Sequence, residues 1–260
     1  MSSEEATLEE STGVKNYSHD DVIEDLIRNH IRRFDRDQYD VLFHFPVLAR
    51  RQGIKRFLAH SDFFRQTLDI PGDILEVGVF RGLSLMTWAN LLECFLIGDR
   101  TKRVWGIDNW SGFSDLHEAD GPENACVGKA VGGFSPRRYK EELEDAIAIF
   151  DTDRFVPWKD RVKLIEGDAS QAIDQLLSER PGLRFSLVHF DVDLYEPTAH
   201  VLNAIWERVP KGGILLFDEY GIEEWPGESR AVDEFLEAHP TQRIRTLDWT
   251  NTPAGYIVKA

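Results

Sequence analysis

The sequence has few of the features that mark secreted or membrane proteins. Its 260 residues include only two cysteines, Cys94 and Cys126, too few for a disulfide framework, which fits a reducing compartment. No apolar run approaches the roughly 18 residues that a membrane span needs. The N-terminal segment also lacks the basic and apolar regions of a signal peptide. We therefore expect a cytoplasmic protein with no membrane partner, in which Cys94, set in an apolar helical stretch, is buried.

Basic residues are scarce relative to acidic ones. The chain has 30 Lys and Arg residues against 46 Asp and Glu residues, which gives a net charge of -16. An acidic surface repels phosphate backbones, so nucleic acid is not expected as a partner. The hydrophobic share of 42% is enough for one large domain with a sizeable core.

Three segments follow one another along the chain. Residues 1–17 are predicted to form a disordered acidic tail, and residues 18–70 a helical cap with apolar residues at helical spacing. Residues 71–260 are predicted to form a single domain after the Pro71-Gly72 break. Apolar residues of the helical cap that look exposed favour a homo-oligomer. These residues are Phe43, Phe45 and Phe57.

Strand and helix patterns alternate throughout residues 71–260. The predicted strands are 73–77, 103–108, 162–166, 185–191, 214–217, 243–246 and 256–259. The predicted helices are about 82–97, 137–150, 170–177, 198–208 and 229–238. Such alternation predicts an α/β fold with a doubly wound, mostly parallel sheet of seven strands, whose ligands bind at the carboxyl ends of the strands. The glycine-rich stretch 109–136 is predicted to be a mobile loop or lid.

The turn after the first predicted strand carries the first candidate cofactor residues. It reads Glu-Val-Gly-Val-Phe-Arg-Gly over residues 76–82. A dinucleotide site requires a glycine where Phe80 stands, so this turn favours a ligand without phosphate, such as S-adenosylmethionine. We expect the carboxylate of Glu76 to help place its ammonium group. The turn around Gly78, with Val79 and Arg81, is expected to contact its carboxylate, although an ordinary strand–helix turn is the alternative.

Two further strand ends carry acids in the order that such a cofactor needs. Asp108 ends the second strand and is placed to accept the ribose hydroxyls, with Ser111 alongside. Asp168 ends the third and is placed to receive the adenine amino group. A turn role for Asp108 and a helix N-cap role for Asp168 remain open. The three acids together predict the site more strongly than each one does alone.

The next two strand ends predict a metal site. Asp191 follows the fourth strand, and Asp218 and Glu219 follow the fifth. Carboxylates packed on adjacent strands repel one another, and a hard divalent cation such as Mg²⁺ removes that cost. A structural carboxylate pair or helix caps are the alternatives. We expect Asp193 to orient the loop rather than bind metal, and His189 to lie in the core or behind the ligands.

These motifs resemble the macrocin O-methyltransferase family. The resemblance rests on four stretches in order, which are Glu76–Gly82, Val104–Gly112, Asp191–Thr198 and Gly212–Tyr220. It implies a Rossmann-like class I methyltransferase fold that uses S-adenosylmethionine and a divalent metal. The expected acceptor is a sugar hydroxyl of a glycosylated natural product.

The same resemblance implies roles for the acids at the last two strand ends. Asp191 would be a metal ligand and the catalytic base, next to the cofactor. Asp218 and Glu219 would complete the metal site. Glu219 departs from the family pattern, in which aspartate is commoner, so the geometry of its metal contact is in doubt.

Other functions remain open on the residues alone. A catechol-type metal-dependent methyltransferase, a nicotinamide reductase and a non-catalytic binding protein are compatible with the same alternation of strands and helices. Aromatic residues of the 109–136 stretch could contact a sugar or simply anchor the loop. They are Trp110, Phe113 and Phe134.

Overall fold

The computed structural model describes residues 19–260, so the predicted acidic tail lies outside the described residues. The chain divides into two compact units, Met1–Ile54 and Lys55–Ala260. The boundary predicted after residue 70 stays a prediction. Among the described residues, no helix is both long and apolar enough to span a bilayer.

The first unit is helical. It contains helices α1 (Asp20–Arg33) and α2 (Gln38–Phe43) and a 3₁₀ turn at Phe45–Val47, and helix α3 (Arg51–Gln66) begins in it. Asp37 is the N-cap of α2. Its side chain accepts the N–H of Asp40 at 3.1 Å, a backbone group of the first turn that has no partner within the helix.

The second unit is built around a seven-stranded sheet. Its strands are β1 (Asp73–Val77), β2 (Val104–Asp108), β3 (Val162–Glu166), β4 (Phe185–Phe190), β5 (Ile214–Phe217), β6 (Ile244–Arg245) and β7 (Gly255–Val258). Their order is β3-β2-β1-β4-β5-β7-β6, and β7 runs antiparallel to its neighbours β5 and β6. The predicted mostly parallel α/β fold is confirmed, and each strand was predicted to within one residue at either end.

Helices cover the sheet between its strands. They are α4 (Leu83–Phe95), α5 (Lys140–Asp153), α6 (Ala169–Glu179), α7 (Tyr195–Ile205) and α8 (Pro226–Ala238). Helix α7 begins three residues before its predicted start at 198, because the distant Asp120 side chain accepts the N–H of Tyr195 at 2.7 Å. Its predicted last turn is instead a 3₁₀ turn at Trp206–Arg208.

Apolar residues fill both faces of the sheet. Leu75 and Val77 belong to one buried cluster, whereas Ile74 belongs to the other, because successive strand side chains point to opposite faces. All six residues of β4 are buried, as expected for a central strand covered on both sides.

One expectation about the core was wrong. Cys94 is exposed rather than buried. Leu92 of the same helix is in the core, and Cys94, two residues further along, points to roughly the opposite side of α4 because each helical residue adds about 100° of rotation.

The strand order fixes where the site lies. The chain runs from β1 outward through β2 to β3 and then returns to place β4 on the other side of β1. This reversal opens a crevice at the carboxyl ends of β1 and β4, where ligands of doubly wound sheets bind.

Candidate functional site

The turn after β1 makes close contact with the end of β4. Gly78 has a φ of +87°, and a Cβ atom built there would lie 1.9 Å from the carbonyl oxygen of Asp191. Any other residue would need both a strained backbone and a displaced strand end. The first turn and the candidate base therefore meet at a backbone contact that only glycine allows.

Asp108 holds this turn in place. Its Oδ2 accepts the N–H groups of Val79 and Phe80, both at 2.9 Å, and its Oδ1 accepts that of Trp110 at 2.7 Å. The turn role left open by the sequence is thus present. Two N–H groups of the turn, those of Val79 and Phe80, donate to Asp108, and a contact of the turn with the cofactor carboxylate stays a prediction. A ribose role for Asp108 stays a prediction, for which Oδ1 retains acceptor capacity.

Glu76 is the buried acid beneath the turn. It is 1% exposed, and its Oε2 has no hydrogen-bond partner among the described residues. Burial raises the pKa of this carboxyl to about 6, although His189 opposes that shift. An unsatisfied buried carboxylate oxygen fits the ammonium group of an amino-acid ligand.

The remaining predicted cofactor residues are Arg81, Ser111 and Asp168. The guanidinium of Arg81 stacks over Tyr139 at 4.0 Å, and Ser111 is exposed. Asp168 is the N-cap of α6, where its Oδ1 accepts the N–H groups of Ser170 and Gln171 at 3.1 Å each. Its expected adenine contact stays a prediction beside this structural role.

The ends of β4 and β5 bring the predicted metal ligands together. The N–H of Asp191 donates to the carbonyl of Val77 at 2.9 Å, and that of Asp218 to Phe190 at 3.1 Å, so parallel pairing continues just past the strands. The Asp191 side chain is 31% exposed, whereas that of Asp218 is 2% exposed. Of these two acids, Asp191 is therefore the one that a substrate can reach.

His189 lies behind these acids, as expected. Its Nε2 is 2.9 Å from Asp218 Oδ1, and its Nδ1 is 3.6 Å from Glu76 Oε2. Burial alone would lower the pKa of the imidazole, but Asp218 and Glu76 outweigh it and raise the pKa to about 10. The histidine is therefore a buried cation that compensates two buried carboxylates.

Arg56 is a site residue that the sequence analysis missed. From α3, its Nη2 is 2.8 Å from Asp191 Oδ2, and its Nη1 is 2.7 Å from Asp218 Oδ2. Burial opposes ionisation of Asp218, yet Arg56 and His189 hold the pKa of this carboxyl well below its ordinary value. One signal was available: Arg56 and His60 stand one helical turn apart on the face of α3 that carries the buried Phe63.

Two groups of side chains have donor atoms close enough to hold a cation. Among the described residues they are His189 with Asp191 and Asp218, and Asp191 with Asp193 and Glu219. In each group the donor atoms lie within 4.8 Å of one another. The three predicted ligands are thus divided between two groups that share Asp191, and Asp193 stands closer to the ligands than its expected loop role implies.

Further carboxyl groups lie close together at this end of the sheet. Burial, with Asp191 next to it, raises the pKa of Asp193 to about 8. Burial and the neighbouring Asp193 raise the pKa of Glu219 well above its usual range. Glu228 is fully buried, and its Oε1 accepts the N–H of Glu219 at 2.8 Å. This crowd of acids favours either shared protons or a bound cation.

Hard oxygen donors are what a magnesium ion prefers. Glu219 Oε2 is buried and has no hydrogen-bond partner among the described residues. An oxygen of this kind, next to acids with raised pKa values, fits a divalent cation bound through Asp191 and Glu219.

The 109–136 segment is folded on itself beside the site. The N–H of Phe113 donates to the Gly133 carbonyl at 3.1 Å, and the N–H of Gly132 donates to the Phe113 carbonyl at 2.7 Å. Asp120 is 1% exposed and accepts the N–H groups of His117 and Tyr195, both at 2.7 Å. The segment expected to be a lid is thereby attached to the first turn of α7, directly after the Asp191 motif.

The aromatic residues of this segment divide into two kinds. Trp110 is 3% exposed and belongs to the core, so it anchors the segment. Phe113 and Phe134 instead form a half-buried aromatic cluster with Phe80 and Trp225, with ring centroids 5.7–6.3 Å apart in the contacting pairs. This cluster flanks the Gly78 turn and offers aromatic faces to an acceptor.

Comparisons with known proteins agree with this geometry. Mycinamicin III 3''-O-methyltransferase of Micromonospora griseorubida is 28% identical over 202 residues, which cover 75% of this chain and 73% of that protein. The crystal structure of the calicheamicin methyltransferase CalS11 is similar with a TM-score of 0.85 and 28% identity, covering 95% of this chain and 94% of that one. Its apo structure, described as a TDP-rhamnose 3'-O-methyltransferase, gives a TM-score of 0.78 and 26% identity, with 95% and 96% coverage.

The sequence also matches a protein family over most of its length. Residues 49–253 match macrocin-O-methyltransferase (TylF), a range that contains all the acids at the strand ends. The family resemblance drawn from the four motifs is confirmed, and the acceptor class of these relatives is an oxygen. The chain belongs to the macrocin-O-methyltransferase family and is an S-adenosylmethionine-dependent O-methyltransferase.

Proposed function

We propose that this enzyme methylates a sugar hydroxyl of a glycosylated natural product and needs a divalent metal ion to do so. The observation that carries the proposal is the position of Asp191. It belongs to both groups of potential cation donors, its side chain is partly exposed, and its carbonyl oxygen touches the Gly78 turn. A single residue thus adjoins the cofactor turn, the carboxylate cluster and the open crevice.

The proposed roles of the cofactors follow from the residues around them. Bound S-adenosylmethionine supplies the methyl group, and Glu76, Gly78, Val79, Arg81, Asp108, Ser111, Asp168 and Asp191 are the residues proposed to surround it. A divalent cation held by Asp191, Asp218 and Glu219 supplies positive charge that lowers the pKa of an acceptor hydroxyl.

Asp191 is the proposed general base. Burial and the neighbouring Asp218 raise the pKa of this carboxyl above its ordinary value, against the opposing effect of Arg56. A base whose pKa is closer to neutrality takes up a hydroxyl proton more readily. Asp191 receives that proton as the acceptor oxygen takes the methyl group, so no covalent intermediate on the enzyme is required.

A sugar acceptor is supported by the relatives and by the shape of the entrance. One relative is described as acting at the 3'' position of mycinamicin III and another as acting on TDP-rhamnose. The half-buried rings of Phe80, Phe113, Phe134 and Trp225 lie beside the crevice. Aromatic faces pack well against sugar C–H surfaces, as they do against other apolar groups.

We also propose that the enzyme is a homo-oligomer. In the first unit, large apolar side chains between residues 39 and 47 are 53–75% exposed. They are Tyr39, Leu42, Phe43, Phe45 and Val47. Contiguous exposed apolar residues of this kind mark association surfaces, and a second copy is the proposed occupant.

The test of the proposed function combines an acceptor panel with metal removal. Chelated, desalted enzyme is offered S-adenosylmethionine with matched panels of deoxysugar glycosides, nucleotide sugars and simple catechols, with and without Mg²⁺. We expect methylation of sugar-bearing acceptors only when Mg²⁺ is restored. Asp218→Asn and Glu219→Gln should raise the Mg²⁺ concentration needed, whereas Glu223→Gln, at an exposed neighbouring acid, should not.

Two outcomes would contradict the proposal separately. Turnover of catechols alone would refute the sugar acceptor and leave the methyltransferase activity standing. Full turnover of thoroughly demetallated enzyme would refute the metal requirement alone.

A further inference from the structure

Asp218 has no carboxylate oxygen left uncommitted. Its Oδ1 is paired with His189 Nε2 at 2.9 Å, and its Oδ2 with Arg56 Nη1 at 2.7 Å, while its side chain is only 2% exposed. A metal ion that used Asp218 as a ligand would need one of these oxygens. Both carboxylate oxygens of Asp218 therefore already have a close partner in the structure.

The two partners of Asp218 differ in how firmly they are held. His189 is 0% exposed and is fixed between Glu76 and Asp218 at the end of β4. The Arg56 side chain is 23% exposed and reaches the acids from a helix. Its buried Nε has no hydrogen-bond partner among the described residues, so this arrangement leaves one guanidinium donor unsatisfied.

Arg56 also occupies Asp191. Its Nη2 lies 2.8 Å from Asp191 Oδ2 and 3.2 Å from Ser84 Oγ. The guanidinium thus bridges Asp191 and Asp218, two of the three acids proposed to hold the metal. A divalent ion and a guanidinium held by the same carboxylates would repel each other strongly in a partly buried site.

We propose that Arg56 and the divalent metal are alternative counter-ions for Asp191 and Asp218, so that metal loading displaces the Arg56 guanidinium from Asp218. This inference rests on the metal site of the proposed function. It assigns Arg56 two effects: it stabilises the metal-free cluster, and it weakens metal binding because it must be displaced. Arg56 is therefore a residue that sets metal affinity rather than a catalytic residue.

The test compares Mg²⁺ binding in the chelated, desalted full-length protein and its variants by titration calorimetry. Arg56→Gln removes the competing charge, Arg56→Lys keeps a charge but loses the fork that spans two carboxylates, and Arg65→Gln changes an exposed arginine of the same helix. We expect the Kd for Mg²⁺ to fall about tenfold in Arg56→Gln, to fall less in Arg56→Lys and to stay at the wild-type value in Arg65→Gln.

Thermal unfolding gives a second readout that does not depend on activity. In chelator, Arg56→Gln should have a lower Tm than wild type, because the carboxylates lose a counter-ion, and Mg²⁺ should raise its Tm by more than it raises that of wild type. If Arg56→Gln does not fold, a tighter Mg²⁺ affinity in Arg56→Lys than in wild type still supports the proposal, and an unchanged or weaker one overturns it.

The failure of this inference is distinct from the failure of the proposed metal site. Equal or weaker Mg²⁺ binding in Arg56→Gln than in wild type overturns the exchange but leaves the metal site intact. If Mg²⁺ binds to Arg56→Gln but not to wild type, the exchange between Arg56 and the metal is supported and the metal requirement of the native enzyme is overturned. Absence of binding in both overturns both.

Discussion

His60 is a buried imidazole whose two ring nitrogens have no hydrogen-bond partner among the described residues. Its ring centroid lies 4.4 Å from that of Trp88 and 5.3 Å from that of His189. Burial, with His189 and Arg56 nearby, holds its pKa well below the ordinary value of 6.5, against a smaller opposing effect of Asp218. It is therefore neutral in the native protein at neutral pH.

This neutral histidine predicts a loss of stability in mild acid. Below about pH 6.5 the unfolded chain binds a proton at His60 and the native protein does not, so the free energy of unfolding falls as pH falls, by up to about 1.4 kcal/mol per pH unit. Denaturant titrations at pH 7.5 and 5.5 should show a smaller loss in His60→Phe than in wild type. Phe63→Leu, a non-titrating core change on the same helix, should keep the wild-type loss. An equal loss in His60→Phe would show that His60 is charged when native.

Asp108 carries a prediction about cofactor binding. If its Oδ1 accepts a ribose hydroxyl, Asp108→Ala should weaken binding of S-adenosylhomocysteine by about 1.5–3 kcal/mol for each charge-assisted hydrogen bond lost. Calorimetry measures the change, and Asp115→Ala, an exposed acid of the following segment, is the control. Because Asp108 also holds the Gly78 turn, the Tm is measured in parallel. Unchanged affinity would leave Asp108 with its turn role alone.

At the scale of the element, the attachment of the 109–136 segment to α7 depends on the close approach of Gly227, which belongs to α8. A Cβ atom at this position would lie 1.9 Å from Asp120 Oδ1 and 2.8 Å from the N–H nitrogen of Tyr195. Gly227 lies in the first turn of α8, where alanine is ordinarily the better helix former by about 0.5–1 kcal/mol. Intrinsic propensity and packing therefore predict opposite signs for Gly227→Ala.

We expect the steric clash to outweigh the helix propensity of alanine. Gly227→Ala should destabilise the protein by about 1–3 kcal/mol, the usual cost of overpacking, and should speed proteolysis within residues 109–136. Gly182→Ala, where a Cβ atom meets nothing within 4 Å, should leave both readouts unchanged. A Gly227→Ala protein as stable as wild type would mean that Asp120 moves aside without cost.

The elements themselves were largely predictable from the sequence. Strands such as β1 and β4 were predictable because buried parallel strands are largely apolar runs. Acids that directly follow such parallel strands necessarily gather at one edge of the sheet. Helix starts were predicted less well where a partner distant in the chain sets them, as Asp120 does for α7. Cys94 was misplaced because an apolar helix says little about which of its faces is outermost.

The site was predictable only where it follows strand ends. Arg56 lies 135 residues from Asp191, and no local pattern in α3 links the two. Glu228 was missed because a charged residue in a first helical turn ordinarily faces solvent, yet here it is fully buried under Glu219. Long-range pairing of charges requires the folded chain.

At the scale of the whole molecule, the assembly state can be tested. Light scattering coupled to size exclusion should give a mass that is a multiple of the 29.9 kDa chain. Leu42→Glu, at a residue 70% exposed, should shift the mass toward the monomer, because a buried unpaired charge disfavours association. Ile97→Glu, at another exposed apolar position, should not. A monomeric wild type would contradict the proposed homo-oligomer.

The contact between Gly78 and the carbonyl of Asp191 has a practical consequence for engineering. Because a Cβ atom at residue 78 would stand 1.9 Å from that oxygen, position 78 accepts only glycine. A mutant library meant to change which acceptor is methylated should therefore keep Gly78 fixed, together with Asp191 as the proposed base. Its diversity belongs at Phe113, Phe134 and Trp225, whose half-buried rings lie outside this backbone contact.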